Sequence, residues 1–355
     1  MARKILWTSL FVLPSISLIA HYAFDVGEVA DFLLAALALL PLAWVIGEAT
    51  EHAAEHTGPG IGGFLNASFG NAPELIIALI AVADGLRGVV RGTITGSVVS
   101  NLLLVLGIAL AVGHGEPRAR LVDRRSLLVQ LGLVLGAVVA FTFTSVPGMH
   151  GVRDRHSLTL ASVPVAIVLL SVYVAVTVHG LRRHRRLHAE SGHTAAGSEW
   201  TLASALAVLA AATVVTALVS EILVHSLTAF AHIAGLSTFF TSAVIVAIVG
   251  NAAEHGGAVV IAWRGKYRLP SEIAVSSAAQ VALLVAPLVV LLSFVVRPPI
   301  ALAFRPVELV TMGGAAILVA LVVRDEFVRR WEGFMLLAAY AVCVAWYWVA
   351  GDLPV

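Results

Sequence analysis

Charge is scarce in this chain. Only 12% of its 355 residues are Asp, Glu, Lys or Arg, against 59% hydrophobic residues and a mean hydropathy of +0.96. Soluble domains carry roughly a quarter charged residues, so the scarcity excludes a soluble globular protein and points to a polytopic membrane protein. The net charge of +1 supplies no basic excess that would argue for nucleic acid, and none is expected as a partner. Cysteine is nearly absent: Cys343 stands alone, which excludes an internal disulfide framework, and its apolar surroundings suit a packed thiol. A cleavable leader is not expected either. Arg3 and Lys4 precede an apolar stretch, but that stretch contains Pro14 and no A-x-A site follows, so a retained first helix is expected.

Long apolar runs are what the chain has in quantity. Measured against the ~20 residues a spanning helix needs, they predict an all-α membrane protein of about eleven transmembrane helices, at 5–24, 29–55, 61–84, 90–113, 126–145, 157–180, 201–226, 236–263, 269–295, 306–324 and 331–350. Arg3/Lys4, Arg118/Arg120/Arg124/Arg125, Arg182/Arg183/Arg185/Arg186, Arg264/Lys266/Arg268 and Arg324/Arg329/Arg330 share one side if the N-terminus is cytoplasmic. Arg87, Arg91, Arg297 and Arg305 are then the minority outside. The expected organisation is an N-terminal helix (1–28), a first five-helix repeat (29–181), a basic linker (182–200) and a second five-helix repeat (201–355). Five is odd, so the halves enter the membrane in opposite directions, the inverted-repeat design of many secondary transporters.

One motif is shared by the two halves. Gly70-Asn71-Ala72-Pro73-Glu74 returns 180 positions later as Gly250-Asn251-Ala252-Ala253-Glu254, followed by His255. An ionised Glu in hydrocarbon costs several kcal/mol or more, so it nearly always faces a partner, an ion or water. Gly, Asn and Pro just before it favour a broken helix whose free carbonyls can point at a cation. The repeated motif therefore reads as two halves of one ion site. A protonated Glu filling the core is the plainer alternative, but it leaves the duplicated context unexplained. Further pairs support the repeat: Ser97 and Asn101 match Ser276 and Gln280 at an offset of 179, and Glu51 and Glu221 occupy matched helices. Ser97 and Ser276 also suit ordinary interhelical packing. His52-Ala53-Ala54-Glu55-His56 has the H-x-x-E-H form of an inverted zinc-protease motif, but no third ligand is evident and Gly58-Pro59-Gly60 is expected to end the helix.

Residues 66–78, Asn66-Ala67-Ser68-Phe69-Gly70-Asn71-Ala72-Pro73-Glu74-Leu75-Ile76-Ile77-Ala78, resemble the first alpha-repeat of the proton/calcium exchangers, the CAX branch of the calcium/cation antiporters. Val249-Gly250-Asn251-Ala252-Ala253-Glu254-His255 is similar to their second. The resemblance implies export of cytoplasmic Ca2+ against protons by a multi-pass protein of the cell membrane, with Ca2+ and H+ as substrates, the lipid bilayer as surroundings, no cofactor and no enzymatic activity. Calcium takes 6–8 oxygen ligands. The expected contributors are Glu74, Glu254, Asn101, Gln280, Ser97, Ser276, Gly70, Gly250, Asn71 and Asn251, the last two either capping the broken helices or binding waters around the ion. Facing carboxylates relieved of calcium would take up protons. Glu51 and Glu221 are implied as residues that gate or feed the site, an interfacial Glu at a helix end being the plainer alternative, and His255 either relays protons or packs. At Gln280, sodium-coupled relatives are typically acidic, so the neutral amide favours proton coupling. Two features depart from the family: the linker has few acidic residues, suiting anionic lipid headgroups instead, and Val275 stands where a Gly often precedes the serines. A sodium-coupled exchanger, a passive cation channel and an intramembrane metalloprotease are the competing readings.

Overall fold

The computed structural model describes residues 2–24, 26–112, 122–149, 155–189 and 200–351. Among these, twelve helices form the molecule: α1 (Ala2–Ala23), α2 (Glu28–Phe69), α3 (Ala72–Ala83), α4 (Arg87–Val112), α5 (Arg124–Met149), α6 (Arg155–Ala189), α7 (Leu202–Ile233), α8 (Thr238–Gly250), α9 (Ala252–Trp263), α10 (Arg268–Val296), α11 (Pro306–Val322) and α12 (Arg330–Ala350). Eight described helices are long and apolar enough to cross a bilayer, and α8 with α9, bent by 61° at the break between them, makes nine where that pair counts as one span. Leu10–Ala23 and Ala72–Ala83 are shorter apolar helices. Large apolar side chains such as Phe143, Val295 and Val349 stand on the outside, as a lipid-facing surface requires.

Two expected boundaries shift. Gly58-Pro59-Gly60 does not end a helix: the backbone stays helical from Glu28 to Phe69. A proline removes one backbone bond, and within a membrane bundle neighbouring groups make up that loss. The chain breaks instead at Gly70-Asn71. Likewise α6 continues to Ala189, so the first part of the basic linker is helical, its Arg and Leu residues being good helix formers. Glu190 and Glu199 of that linker, with Arg118 and Arg120, lie outside the described residues.

α3 and α9 end in similar turns. After α3, Leu86 N donates to Ala81 O and Gly85 N to Val82 O; after α9, Lys266 N donates to Ile261 O and Gly265 N to Ala262 O. These are the same helix-ending bonds, and each needs a left-handed glycine, Gly85 at φ +70° and Gly265 at φ +78°. α4, α8 and α10 each carry a π-helical stretch, Ser100–Val105, Thr241–Val246 and Val281–Val285, a feature frequent at functional sites.

α4 is the most enclosed span, and glycine lets it approach α8 of the other half. A Cβ on Gly92 would overlap Ser242 Oγ, and one on Gly96 would overlap the Ala243 carbonyl oxygen. The obstacle at Gly96 is backbone, which has little room to yield. Gly96→Ala is therefore expected to destabilise the protein by about 1–3 kcal/mol, read as a lowered melting temperature of the detergent-solubilised protein. An unchanged melting temperature would show that the crossing tolerates a side chain.

Among the described residues, buried charge is confined to few places. Arg305 and Glu308 are 3% and 0% exposed. Arg305 Nε donates to Glu308 Oε1 at 2.5 Å, while its guanidinium lies 4.0 Å from the Phe239 ring centroid of α8. Arg91 Nε of α4 approaches the same carboxylate at 3.9 Å. Two of the four basic residues assigned to the outer side thus share one buried counter-charge.

Candidate functional site

Each Gly-Asn pair interrupts a helix. Asn71 at φ −104°, ψ 20° and Asn251 at φ −87°, ψ 7° both leave helical geometry, and a new helix begins at the next residue. Pro73, in the first turn of α3, suits a helix start because its missing N–H would have no partner there. Both breaks thereby set a glutamate in the first turn of a short helix, Glu74 in α3 and Glu254 in α9.

The two glutamates meet across the halves. Glu74 is buried against the break in the other half: a Cβ on Gly250 would stand 3.3 Å from Glu74 Oε1. Glu254 is half-buried, lies within electrostatic reach of Glu74 and is hydrogen-bonded by the Ser277 hydroxyl.

Amide side chains lock the surroundings in a crossed pattern. Asn71 Nδ2 of the first half donates to Gln280 Oε1 of the second at 2.7 Å. Asn101 Nδ2 of the first half donates to Asn251 Oδ1 of the second at 3.2 Å and to Ser277 Oγ at 3.0 Å. Asn251 Nδ2 in turn donates to Ser97 Oγ at 2.8 Å and to Ala247 O at 2.8 Å. Four buried oxygens in this contiguous cluster have no hydrogen-bond donor: Asn71 Oδ1, Glu74 Oε2, Asn101 Oδ1 and Glu254 Oε2. Buried polar atoms are nearly always satisfied, so an orphan demands an explanation. Four acceptors together, two of them on carboxylates, are complementary to a cation and suit the hard, oxygen-seeking kind.

The remaining candidates fall elsewhere. The Ser276 hydroxyl turns back to Ile273 O at 3.1 Å, and its neighbour Ser277 reaches the cluster instead. An offset of 180, the one that relates the two glutamates, leads from Ser97 to Ser277 and would have found it. Gly70 lies in the turn of the first break. Glu51 and Glu221 are exposed on α2 and α7 and make no hydrogen bond to the cluster. His255 Nε2 is shielded and has no hydrogen-bond partner. The histidines of the H-x-x-E-H stretch reach Trp200, just ahead of α7: His56 Nε2 lies 2.6 Å from Trp200 O, and the His52 ring stacks on Trp200 at 4.8 Å. Among the described residues, no group of three or more His, Cys, Asp or Glu is placed to hold a metal ion.

Because Asn101 and Gln280 bring neutral oxygens and no titrating proton, Asn101→Ala and Gln280→Ala should weaken apparent calcium affinity about tenfold, the scale of one or two lost hydrogen-bonding groups, with a smaller effect on maximal rate. Initial-rate measurements across calcium concentrations check this. Unchanged affinity in both variants would remove the amides from the site.

Comparison with known proteins agrees with this architecture. The model of the sodium/calcium exchanger protein family matches residues 28–181 and 204–349. A Ca(2+)/H(+) antiporter of Aphanothece halophytica is 36% identical over 96% of this chain and 95% of its own. The Ca(2+)/H(+) antiporter ChaA of Bacillus subtilis (strain 168) is 38% identical over 88% and 90%. Among solved structures, native YfkE superposes with a TM-score of 0.80 at 33% identity, covering 96% of this chain and 99% of that one. The chain therefore belongs to the sodium/calcium exchanger protein family and groups with its members named Ca2+/H+ antiporters.

Proposed function

We propose that the protein is a secondary-active antiporter of the cell membrane that exports Ca2+ from the cytoplasm in exchange for H+. The observation that carries this reading is the set of four donor-less oxygens on Asn71, Glu74, Asn101 and Glu254, drawn from both halves of the bundle. Calcium is held as substrate by the two carboxylates, with the amides supplying neutral oxygens. When it leaves, one or both carboxylates take a proton, and the neutral site reorients across the membrane. The inverted halves rock against each other around this fixed point, with the basic stretch after α6 as their divide. The family model's two matched segments, ending at 181 and resuming at 204, support that division.

Proton coupling is favoured over sodium coupling by Gln280, which is engaged by Asn71 as a neutral amide and brings no third carboxylate. The cytoplasmic N-terminus follows from the basic loops. It is supported by the shared carboxylate of Glu308, which leaves Arg91 and Arg305 a weaker exception to that rule.

The test is transport by the purified protein in liposomes under an imposed pH gradient, with a calcium dye and no sodium. Calcium movement driven by the gradient, with protons moving the opposite way, is expected. Calcium flux indifferent to the gradient would make the protein a channel, and flux appearing only with sodium would make it a sodium-coupled exchanger.

A further inference from the structure

Two histidine–aspartate pairs occupy one end of the bundle. His21 Nδ1 of α1 lies 2.9 Å from Asp31 Oδ2 of α2. His225 Nε2 of α7 lies 3.1 Å from Oδ2 of Asp84, the residue that closes α3. Phe230 of α7 stacks on Phe32 of α2 at 4.1 Å, which sets Asp31 and the last turns of α7 at one level, with His225 little more than a turn further in. The second pair is remote from the exchange site, because Asp84 stands nearly three helical turns, about 15 Å, beyond Glu74.

The elements it joins give the second pair its interest. α3 carries Glu74, and α7 packs along both α2 and α3. Any sliding of α7 past α3 must break the contact between His225 and Asp84. Histidine is the one side chain whose ordinary titration falls between pH 5 and 8. Protonated, His225 forms an ion pair with Asp84; neutral, it offers at most an uncharged N–H. The other titratable or charged groups on the surrounding elements at this end are Arg87 and Arg91 on α4, Arg297 closing α10, Glu28 and Asp31 on α2, His21 on α1 and Glu221 and His232 on α7 itself. Asp31 is already engaged by His21, which leaves Asp84 as the carboxylate that His225 contacts.

We propose that Asp84 and His225 form a second proton-binding site, separate from the exchange site, in which a proton on His225 latches α7 onto α3. Acid on that face then holds the arrangement described above, and neutral pH releases it. The latch slows the rearrangement of each transport cycle on the acid side without taking part in ion binding. The proposal rests on the antiporter reading only for its transport assay, because the latch can also be read without transport.

The experiment compares wild type with His225→Gln, Asp84→Asn, the double variant and His225→Arg. Exchange is measured in liposomes between about pH 5.5 and 7.5, the span of histidine titration. Relative to wild type, each neutral variant should gain about two- to fivefold in rate at the acid end and nothing at the alkaline end, the size of a partly exposed ion pair. The double variant should match the single ones, since either change removes the same contact. His225→Arg, a permanent cation, should hold the acid-side rate at every pH. In parallel, spin labels on α3 and α7 should report a distance distribution that changes with pH in wild type and not in the variants. Variant-to-wild-type ratios that stay flat across pH, or single effects that multiply in the double variant, would overturn the latch. A pH-independent label distance in wild type would overturn it without any recourse to transport. Loss of exchange in wild type itself would refute the antiporter reading and leave the distance measurement to decide the latch.

Discussion

Glu74→Gln and Glu254→Gln are each expected to leave less than about one hundredth of wild-type exchange while the protein still folds. Removing one charged member of a buried, mutually dependent set costs roughly 3–5 kcal/mol, and a factor of a hundred corresponds to ~2.7 kcal/mol. The amide keeps the shape of the side chain, so Glu74 Oε1 still has an oxygen counterpart against Gly250, and the Ser277 hydroxyl keeps an acceptor at position 254. What disappears is the charge that holds a divalent ion and the group that takes its proton. Folding is checked by a normal elution profile and melting temperature, function by proton-driven calcium flux in liposomes. Substantial flux from either variant would sink the shared-carboxylate site.

Calcium and protons should also compete directly. Each half contributes one glutamate to the cluster, and both carry an oxygen with no donor of its own. A proton on either carboxylate removes charge that calcium needs, so apparent calcium affinity must fall as pH drops. Where binding displaces one proton the slope is about tenfold per pH unit, and where it displaces two about a hundredfold. Calorimetry in detergent across pH reads this directly. The slope should be absent when Glu74 and Glu254 are both replaced by Gln. Affinity that stays constant from acid to alkaline pH would mean that the two ions use different sites.

The helical fold and the breaks at the centre of the candidate site were legible because each rests on strong local chemistry. Apolar runs of membrane length fix the spans, and Gly-Asn before a buried Glu fixes both breaks; the structure has those breaks at Asn71 and Asn251. Gly58-Pro59-Gly60 misled because its local signal is that of a stop, while the backbone remains helical through it. Ser277 was missed because two serines stand side by side, and the offset taken from Asn101 and Gln280 selects the wrong one. The π-helical stretches shift register within α4 and α10, so no single offset relates all matched residues. The crossing of Gly92 and Gly96 over α8, and the contact of His225 with Asp84, join residues far apart in the chain, which no local pattern displays.

The crossed amides also bear on how the protein is made. Synthesis delivers the first half to the membrane before the second exists, and domains fold in the order they emerge. Until α8, α9 and α10 arrive, Asn71, Asn101 and Ser97 lack the partners they have in the finished protein, and Glu74 lacks Gly250 as a neighbour. Unsatisfied polar groups in hydrocarbon cost several kcal/mol each. The newborn first half is therefore an unfinished surface that must stay hydrated or guarded until α10 has been made. Completion of the site waits for α10, and a chain truncated before it is left with polar side chains facing lipid, a mark by which membrane quality control can recognise it.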